Sequence, residues 1–355
     1  MKVLITSPSL DEDENVSGIA TLIRGITTRS ENEFTHFAAG RKDGEGFGLR
    51  WIFRQALLPL DFIKTIRREK PDIVHINTSF EPRSIIRDLV LAKCVPDNCG
   101  RLLHIHGGRF VLQDFQNGVL AARAEQMLKA VNKIVVLSEA EKQNLLNRTP
   151  GLDIAVLPNA VPVDGVPATE RGSDEKTIIF LGRIDAAKGL NEIVEAARTL
   201  AMNGFVFRFT CFGAGPEKDN FVSKMSAILG NKFHYGGIVS GSEKWNALAD
   251  ADIFLLPSKF EGLPMAMLEA MAAGCVPVVS DVGSVSTVIE EGQNGYLVQP
   301  ENVTQITGKL KMLLSSGTDW GKLRENARNT VRERFDIKDY AAKLERLYDE
   351  IAAAK

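Results

Sequence analysis

Short runs rich in Val, Ile and Leu recur along the chain, and a longer segment with helical character follows each of them. The first series is KVLIT (2–6), DIVHIN (72–77), RLLHIH (101–106), KIVVLS (133–138) and DIAVLPN (153–159). The second is KTIIFLG (176–182), FVFRFTCFG (205–213), KFHYGG (232–237), DIFLLPS (252–258) and VPVVSD (276–281). Continuous apolar runs of this kind are typical of parallel strands that are buried on both faces. The pattern therefore predicts an α/β fold with two doubly wound sheets.

The two series indicate two domains. A chain of 355 residues exceeds what one hydrophobic core usually supports. The segment PNAVPVDGVPATERGSDEK (158–176) has no periodicity and is typical of a linker. We expect an N-terminal domain over 1–164 and a C-terminal domain over 165–335. The remainder, 336–355, is predicted to be one amphipathic helix that could return to the N-terminal domain; its apolar face carries Tyr340, Leu344 and Tyr348.

Composition excludes several classes of protein. The net charge is −2, and neither the overall composition nor a recognisable motif indicates a nucleic-acid binder, so we expect no nucleic-acid partner. The four cysteines are scattered and the N-terminus does not resemble a secretory signal, which predicts free thiols and a cytoplasmic location. No apolar run approaches the roughly 18 residues of a membrane-spanning helix.

Ligands of open α/β sheets bind beyond the carboxyl ends of the strands, so the predicted site lies in the cleft between the two domains. In the second half, FLGRIDAAKGL places Gly182 at such a strand end, followed by Arg183 and Lys188. An arginine fork and a mobile lysine ammonium beside a glycine turn are suited to a diphosphate. Ordinary surface charge at a helix start is the alternative.

The stretch PSKFEGLPMAMLEAMAAG (257–274) follows another predicted strand and carries two acids. We expect Pro264 in the first helical turn and Gly274 just beyond the last one. Glu261 then lies in the loop, and Glu269, which leans back along the helix, approaches the same ligand space. The helix start favours a phosphate, whereas carboxylates favour vicinal hydroxyls. Phosphates between two diols describe a nucleotide sugar, with Glu269 on the ribose and Glu261 on the sugar. The alternative is a pair of helix-surface acids.

These motifs, together with NGYLV (294–298) and HIHGG (104–108), resemble the retaining, GT-B-type glycosyltransferases of family 4, also called group 1. The resemblance covers nearly the whole chain and is strongest over 176–300. It implies two Rossmann-like domains that face each other across a cleft. It further implies that Arg183 and Lys188 clamp the pyrophosphate, that Glu269 binds ribose and that Glu261 holds the donor sugar near its 3- and 4-hydroxyls. The donor-binding set it implies is Gly18, Gly182, Arg183, Lys188, Gly262, Leu263, Pro264 and Glu269.

In the first half, the resemblance implies that His106 contacts the donor sugar and that Gly18 lies near the phosphates. Strand alternation places His104 and His106 on one face, and only His106 adjoins the flexible turn of Gly107 and Gly108. Two departures from the family pattern are visible. Ser17 replaces the first of two glycines found in many relatives, and Ser286 stands where relatives commonly carry a glutamate.

Three other motifs are weaker. The row Cys94, Cys99, His104 and His106 is spaced too loosely for a typical structural zinc site. The DED of 11–13 is predicted to be a solvated loop, and FGAGPE (212–217) lacks the third glycine of a dinucleotide fingerprint. We therefore predict no metal and no cofactor.

A basic, aromatic-bearing segment occupies residues 47–70. A helix of this kind can lie on an anionic membrane surface, which makes it a candidate for peripheral contact with the inner face of a membrane. An ordinary packed helix followed by a solvated charge cluster is the alternative.

The sequence therefore predicts a metal-independent retaining glycosyltransferase that moves a hexose-type sugar to a hydroxyl. A UDP-sugar donor is favoured over GDP-mannose. The acceptor is a saccharide, a lipid-linked sugar or a small molecule, in surface polysaccharide or glycolipid assembly. A nucleotide-sugar epimerase on the same architecture and a non-catalytic nucleotide-sugar binder are the alternatives. Closure of the two domains about a hinge near 158–172 is also expected.

Overall fold

The structure is a computed structural model that describes residues 1–12, 14–15, 17–40, 48–113, 115, 118–167 and 175–354, apart from the side chains of residues 49, 50, 52 and 109. The chain divides into two compact units. The first comprises Met1–Asn159 together with Ile337–Lys355, and the second is Ala160–Asp336.

The first unit is a parallel sheet with helices between its strands. Its strands are β1 (Lys2–Ser7), β2 (Glu33–Ala38), β3 (Ile73–Thr78), β4 (Gly100–Ile105), β5 (Lys133–Val136) and β6 (Ile154–Val156). Its helices are α1 (Gly18–Thr27), α2 (Leu49–Glu69), α3 (Pro82–Cys94), α4 (Arg109–Leu112), α5 (Gly118–Lys129), α6 (Glu139–Arg148) and α13 (Ile337–Ala353). The strand order is β2-β1-β3-β4-β5-β6, and every pairing is parallel.

The second unit repeats this plan. Its strands are β7 (Lys176–Leu181), β8 (Phe207–Phe212), β9 (Phe233–Tyr235), β10 (Ile253–Leu256), β11 (Val276–Ser280) and β12 (Tyr296–Val298). Its helices are α7 (Leu190–Met202), α8 (Lys218–Leu229), α9 (Gly241–Ala249), α10 (Met265–Ala272), α11 (Val303–Leu314) and α12 (Trp320–Arg334). The strand order is β12-β11-β10-β7-β8-β9, again with parallel pairings.

Two doubly wound sheets are thus confirmed, and all ten strands that the sequence predicted are present. All residues of β3, β5, β10 and β11 are buried, as their continuous apolar sequences require. The sequence did not predict β2 or β12. β2 is a half-buried edge strand without a Val/Ile/Leu run, and β12 has only three residues.

Strand order reverses once in each sheet, between β1 and β3 in the first unit and between β7 and β10 in the second. At such a point the loops that follow the two strands run to opposite faces of the sheet and leave a crevice between them. The fold therefore directs attention to the segments after β1, β3, β7 and β10.

Helix α13 covers the first sheet although it comes last in the chain. Tyr340, Leu344 and Tyr348 are all buried, which confirms the predicted apolar face. The Tyr348 hydroxyl lies 2.7 Å from Nδ1 of His75 on β3, and the Tyr340 hydroxyl lies 3.4 Å from both ring nitrogens of His104 on β4. The helix is thus held on the sheet by hydrogen bonds as well as by apolar packing.

The predicted linker begins as a packed segment. Asn159, Ala160 and Val161 are buried, and Val161 forms a parallel bridge with Asp336. Residues 168–174, which include the end of the predicted hinge, lie outside the described residues. All four cysteines are free thiols, as predicted. Within the described ranges, no helix combines the length and the apolar character required to cross a bilayer.

The Tyr348–His75 bond predicts how α13 contributes to stability. We expect Tyr348→Phe to lower the free energy of unfolding by about 1–3 kcal/mol, because it removes the partner of a fully buried nitrogen. Tyr340→Phe is the matched control, since its hydroxyl is at a weaker distance from His104, and its loss should be smaller. Urea unfolding followed by circular dichroism measures both. Equal losses would show that the 2.7 Å bond contributes nothing specific.

Candidate functional site

The reversal point of the second sheet brings together the segments that carry most of the predicted site residues. The loop after β7 contains Gly182, Arg183 and Lys188, and the loop after β10 contains Glu261. Both segments lie at the carboxyl edge of the sheet, where β7 and β10 are neighbours. The segments that carry Lys188 and Glu261 therefore lie next to each other.

The loop after β7 is pressed against the end of β10. A short 3₁₀ turn, Ala186–Lys188, is capped by Asp185, whose carboxylate accepts from the Ala187 backbone N–H at 2.9 Å. Gly189 follows with φ +73°, and a Cβ there would sit 2.1 Å from the Pro257 carbonyl oxygen. Only glycine combines this backbone conformation with so close an approach. The position of Lys188 is thereby fixed relative to the loop after β10.

Lys188 and Glu261 are in direct contact. Nζ of Lys188 lies 2.6 Å from Oε1 of Glu261, and the Ser258 hydroxyl donates to the same oxygen at 2.7 Å. Ser258 is fully buried, whereas both charged side chains remain partly exposed. A cation suited to binding phosphate and an acid suited to binding hydroxyls are thus in contact at the carboxyl ends of the strands.

Arg183 has a different setting. Its side chain is 61% exposed, and Nε lies 3.4 Å from the Asp185 carboxylate. The energy of so exposed an ion pair is small, so the guanidinium can reorient at low cost. Arg183 is therefore available to a ligand that approaches the carboxyl edge of the sheet.

Helix α10 begins just after Pro264, which the sequence placed in the first helical turn. Pro264 precedes the helix as its N-cap residue, with ψ 121°, and is not part of the first turn. The extended ψ explains the difference, because it takes the residue out of the helical region. Leu263 is buried and anchors the turn, and Gly262 accepts from the Ser284 backbone N–H at 2.8 Å. At its other end, Gly274 follows the helix with φ +82°, as predicted.

Glu269 is buried within α10, with only 4% of its surface exposed. Its Oε1 accepts from Nζ of Lys244 on α9 at 2.7 Å, and the Lys244 side chain is itself 15% exposed. The ammonium also lies 5.7 Å from the centre of the Trp245 ring. Sequence reasoning missed Lys244, because GSEKWNALA reads as an ordinary surface helix and carries no signal of this tertiary contact.

The loop after β11 supports Glu261 from the other side, which the sequence also did not predict. Gly283 has φ +58°, and a Cβ there would sit 2.1 Å from the Glu261 carbonyl oxygen. The buried hydroxyls of Ser280 and Ser284 have no hydrogen-bond partner within the described residues. Ser286, which departs from the family pattern, is exposed.

The turn GAGP after β8 lies beside the turn after β7. A Cβ at Gly213 would sit 1.9 Å from the Gly182 carbonyl oxygen, and one at Gly215 would sit 2.1 Å from that of Ile184. The two glycines therefore allow close backbone contact between neighbouring turns. This packing fixes the start of the segment that carries Arg183.

In the first unit, His106 directly follows β4. Its backbone N–H donates to the Thr78 carbonyl at 2.9 Å, and its Nε2 lies 2.5 Å from Oδ1 of Asn77. Its ring stacks on that of His104, with centroids 3.9 Å apart, which confirms that the two histidines share a face. Burial lowers the pKa of His106 to about 3, and a hydrogen bond with Asn159 opposes part of that shift. The imidazole is therefore neutral at physiological pH.

The glycine turn after His106 packs against the end of β3. Gly107 and Gly108 both have positive φ, and a Cβ at Gly108 would sit 2.3 Å from the Ser79 carbonyl oxygen. Phe80, next in that segment, has φ 52° and is fully buried. Close backbone contact thus requires the second glycine of HIHGG.

Gly18 is the first residue of α1, after the N-cap Ser17, whose hydroxyl accepts from the Ala20 N–H. Gly18 and His106 belong to the first unit, whereas the other predicted site residues belong to the second. Of the DED motif, Glu12 pairs with Arg24 at 3.5 Å, and Asp13 lies outside the described residues.

Because Glu269 is buried, we expect the protein to lose stability when its partner Lys244 is replaced. We expect Lys244→Met to lower the free energy of unfolding by about 3–5 kcal/mol, because it leaves a carboxylate buried without its cation. Lys259→Met is the control: its partner Glu301 is 62% exposed, and exposed pairs contribute about 0–1 kcal/mol. Urea denaturation compares the two variants. Similar small losses in both would show that Glu269 does not depend on Lys244.

Comparison with known proteins identifies the family. Residues 166–334 match the family model described as glycosyl transferases group 1, and residues 28–164 match that of glycosyltransferase family 4. The matches to the first three curated relatives span 45%, 33% and 44% of the lengths of those proteins.

One relative aligns over most of its length. The Escherichia coli UDP-Gal:alpha-D-GlcNAc-diphosphoundecaprenol alpha-1,3-galactosyltransferase is 22% identical over 83% of this chain and 80% of its own. Two solved structures are similar over their full lengths. Sucrose-phosphate synthase from Thermosynechococcus elongatus has a TM-score of 0.83 at 16% identity, covering 100% of both chains. Anabaena HepE in complex with UDP and glucose has a TM-score of 0.76 at 15% identity, covering 99% of this chain and 100% of its own.

At these identities the structural matches show the fold, and the prediction of a GT-B architecture built from two Rossmann-like units is confirmed. With both halves of the sequence matched by the corresponding family models, the chain belongs to the group 1, family 4 glycosyltransferases.

Proposed function

We propose that this protein transfers a hexose-type sugar from a nucleoside diphosphate sugar to a hydroxyl acceptor, with retention of anomeric configuration. The main support is the contact between Lys188 and Glu261 at the point where the strand order of the second sheet reverses. It joins a phosphate-binding cation to a hydroxyl-binding acid where α/β sheets bind ligands. A sugar linked to a phosphate needs both groups at adjacent positions.

The diphosphate is assigned to the positive side of this site. Lys188 supplies a point charge, and the exposed Arg183 can turn its guanidinium fork to the phosphoryl oxygens. The start of α10, after Gly262, Leu263 and Pro264, adds backbone N–H groups without intrahelical partners. Because an ammonium has three donors, Lys188 can bind a phosphate oxygen and retain Glu261.

The hydroxyl groups of the donor are assigned to the two glutamates. Glu261 is oriented by Ser258 and Lys188, so its second carboxylate oxygen can accept from sugar hydroxyls. Glu269 is held through one oxygen by Lys244, which leaves the other for the ribose diol. The charge of each acid is offset by a lysine, and this reduces its repulsion of the neighbouring diphosphate.

Catalysis follows from the change in charge during reaction. As the bond from sugar to phosphate lengthens, negative charge grows on the leaving diphosphate, and the cations stabilise that state more than the ground state. We propose that Arg183, Lys188 and the helix start perform this role without a metal ion. His106 contacts the donor sugar from the first unit, and Gly18 lies near the phosphates, as the family resemblance implies.

A uridine nucleotide is the proposed donor base, with GDP-mannose as the second candidate. The support is that the Anabaena neighbour is described in complex with UDP-glucose and that the Escherichia coli relative is named for UDP-Gal. The same relative is named for a diphosphoundecaprenol-linked acceptor, which supports a saccharide or lipid-linked acceptor here. We place the reaction in the cytoplasm, a location consistent with four free thiols.

Calorimetric titration with UDP and GDP, followed by incubation with UDP-glucose, UDP-galactose, UDP-N-acetylglucosamine and GDP-mannose, tests the proposal. We expect one nucleotide to bind, Glu269→Ala to weaken that binding, and release of nucleoside diphosphate to rise when octyl glycosides are added as acceptors. NMR of the product should show the anomeric configuration of the donor. A changed sugar nucleotide formed without acceptor would instead indicate an epimerase. Binding without either product would indicate a binder.

Arg183 gives the sharpest mutational test of the mechanism. We expect Arg183→Ala to lower kcat by about 10²–10³-fold, the typical effect of removing one donor that stabilises developing charge. Arg198→Ala is the matched control, because this arginine of α7 forms only a surface pair with Glu195 at 3.6 Å. Steady-state kinetics with the donor found above measure both variants. Wild-type turnover in the Arg183 variant would contradict the assignment.

We further propose that α2 contacts an anionic membrane surface. The helix buries Leu58, Phe62 and Ile66 in the first unit. Its opposite face exposes Phe53, Leu57 and Leu60, followed by the basic side chains of Lys64, Arg67 and Arg68. An exposed apolar stripe beside a cluster of cations is typical of helices that lie in the membrane interface.

Sedimentation with vesicles of phosphatidylcholine, with and without phosphatidylglycerol, tests this contact. We expect binding only to the anionic vesicles, loss of binding in the variant Leu57→Asp/Leu60→Asp, and weaker binding at high salt. Met202→Asp is the control, because Met202 is also exposed but belongs to the second unit. Equal binding by the two variants would exclude α2 as the membrane-binding surface.

A further inference from the structure

Asn77 contacts His106 although no sequence motif connects them. Asn77 lies near the end of β3, and His106 follows the neighbouring strand β4, in a register that pairs Asn77 with His104. The Asn77 side chain is buried, with 4% of the residue exposed, and its Oδ1 lies 2.5 Å from Nε2 of His106. A buried amide of this kind must use its hydrogen-bonding groups within the protein.

The other contacts of Asn77 fix the direction of its amide. Its Nδ2 lies 2.7 Å from the carbonyl oxygen of Thr6 on β1, and that oxygen can only accept. The NH₂ group therefore faces Thr6, and Oδ1 faces His106. Because Oδ1 also can only accept, the hydrogen between the two residues must belong to Nε2 of His106. The Asn77 backbone N–H donates to the Thr6 hydroxyl at 3.1 Å and ties the residue to β1 a second time.

We propose that Asn77 is a positioning residue that holds His106 as the neutral Nε2–H tautomer, in a fixed ring orientation, for its contact with the donor sugar. The inference deepens the proposed function and rests on the role assigned there to His106. Asn77 itself touches no reacting atom. It acts through the imidazole, in the way that partners of active-site histidines select the tautomer and the ring position.

The surroundings of His106 favour the same neutral state. His104 stacks on His106 with ring centres 3.9 Å apart, and the ring of His75 lies beyond it, 5.4 Å from that of His104. The α13 residues Tyr340 and Tyr348 contact His104 and His75, and the Asn159 side chain, which is hydrogen-bonded to His106, is a neutral amide. None of these side chains carries a negative charge at neutral pH, and burial raises the pKa values of both tyrosines. No acid in this set would stabilise an imidazolium.

A neutral imidazole suits the chemistry proposed for this site. During glycosyl transfer the sugar ring gains positive charge at the anomeric centre, as in the oxocarbenium-like transition states of glycoside chemistry. An imidazolium beside that ring would repel the developing charge, whereas a neutral ring can exchange hydrogen bonds with sugar hydroxyls without this cost. Selection of one neutral tautomer therefore determines which ring nitrogen donates and which accepts.

NMR of protein labelled with ¹⁵N in its histidine side chains tests the inference without requiring activity. The chain has five histidines, and His106→Gln identifies the signals of His106. In the wild type we expect His106 to show the Nε2–H tautomer and no titration between about pH 5 and 8, since its pKa lies far below that window. An Nδ1–H tautomer, or titration near pH 6.5, would overturn the inference.

Three variants separate positioning from simple packing. Asn77→Ala should replace the single tautomer by a mixture. Asn77→Asp should raise the pKa of His106 into the measured window, because a carboxylate stabilises the imidazolium. Asn132→Ala is the control, since Asn132 accepts from the Arg101 backbone N–H at the opposite end of β4, and it should change neither signal. Unchanged His106 signals in Asn77→Ala would overturn the inference. If Asn77→Asp does not fold, the result for Asn77→Ala alone is sufficient to decide.

Kinetics then separate the failure of this inference from failure of the proposed function. We expect Asn77→Ala to lower kcat by at least tenfold with unchanged affinity for the nucleotide, and Asn77→Asp to lose activity as the pH falls through the raised pKa of His106. A tautomer lost without any change in turnover would refute the proposed role of His106 and leave the structural assignment intact. If His106→Gln loses turnover while Asn77→Ala leaves the His106 tautomer signals unchanged, the role of Asn77 is refuted and the proposed role of His106 is retained.

Discussion

The strand order of the second sheet reverses between β7 and β10. The chain leaves these two strands toward opposite faces of the sheet, and the loops that follow them begin side by side at its carboxyl edge. The contact of Lys188 with Glu261 forms across this point. It depends on backbone approaches that only glycine permits, at Gly189 against Pro257 and at Gly283 against Glu261. The position of the charged pair is therefore determined by the sheet topology and by rigid turns.

The polar side chains at the predicted site are charged pairs in the second unit and neutral rings in the first. In the second unit Lys188 pairs with Glu261 at the strand ends, and Lys244 of α9 pairs with Glu269 of α10, so each predicted donor-binding acid is matched by a lysine. The first unit places neutral groups behind its strand ends, where a column of His75, His104 and His106 stacks beneath two tyrosines of α13. Burial lowers the pKa values of these histidines, so the column carries no charge at physiological pH. The column of the first unit is thus neutral, whereas the two acids of the second unit are each paired with a cation.

Sequence reasoning predicted the features that depend on local pattern. Buried parallel strands can be recognised as continuous apolar runs. The turns at Gly274 and at HIHGG carry glycines that their backbone conformations require. The half-buried strand β2 and the short strand β12 lack such patterns and were missed. Lys244 and Asn77 were also missed, because each contacts a residue distant in the chain and neither stands in a distinctive motif. Pro264 shows the limit at an element boundary, since a sequence fixes the first residue of a helix only to within one or two positions.

Helix α13 belongs to the first unit but is synthesised after the whole second unit. Until it has emerged from the ribosome, the sheet face that carries His75 and His104 lacks the helix that later buries it. The N-terminal half of the nascent chain therefore cannot reach its final packing during its own synthesis, and the second unit, which is continuous in sequence, can fold first. Completion of the first unit is in this way coupled to translation of α13.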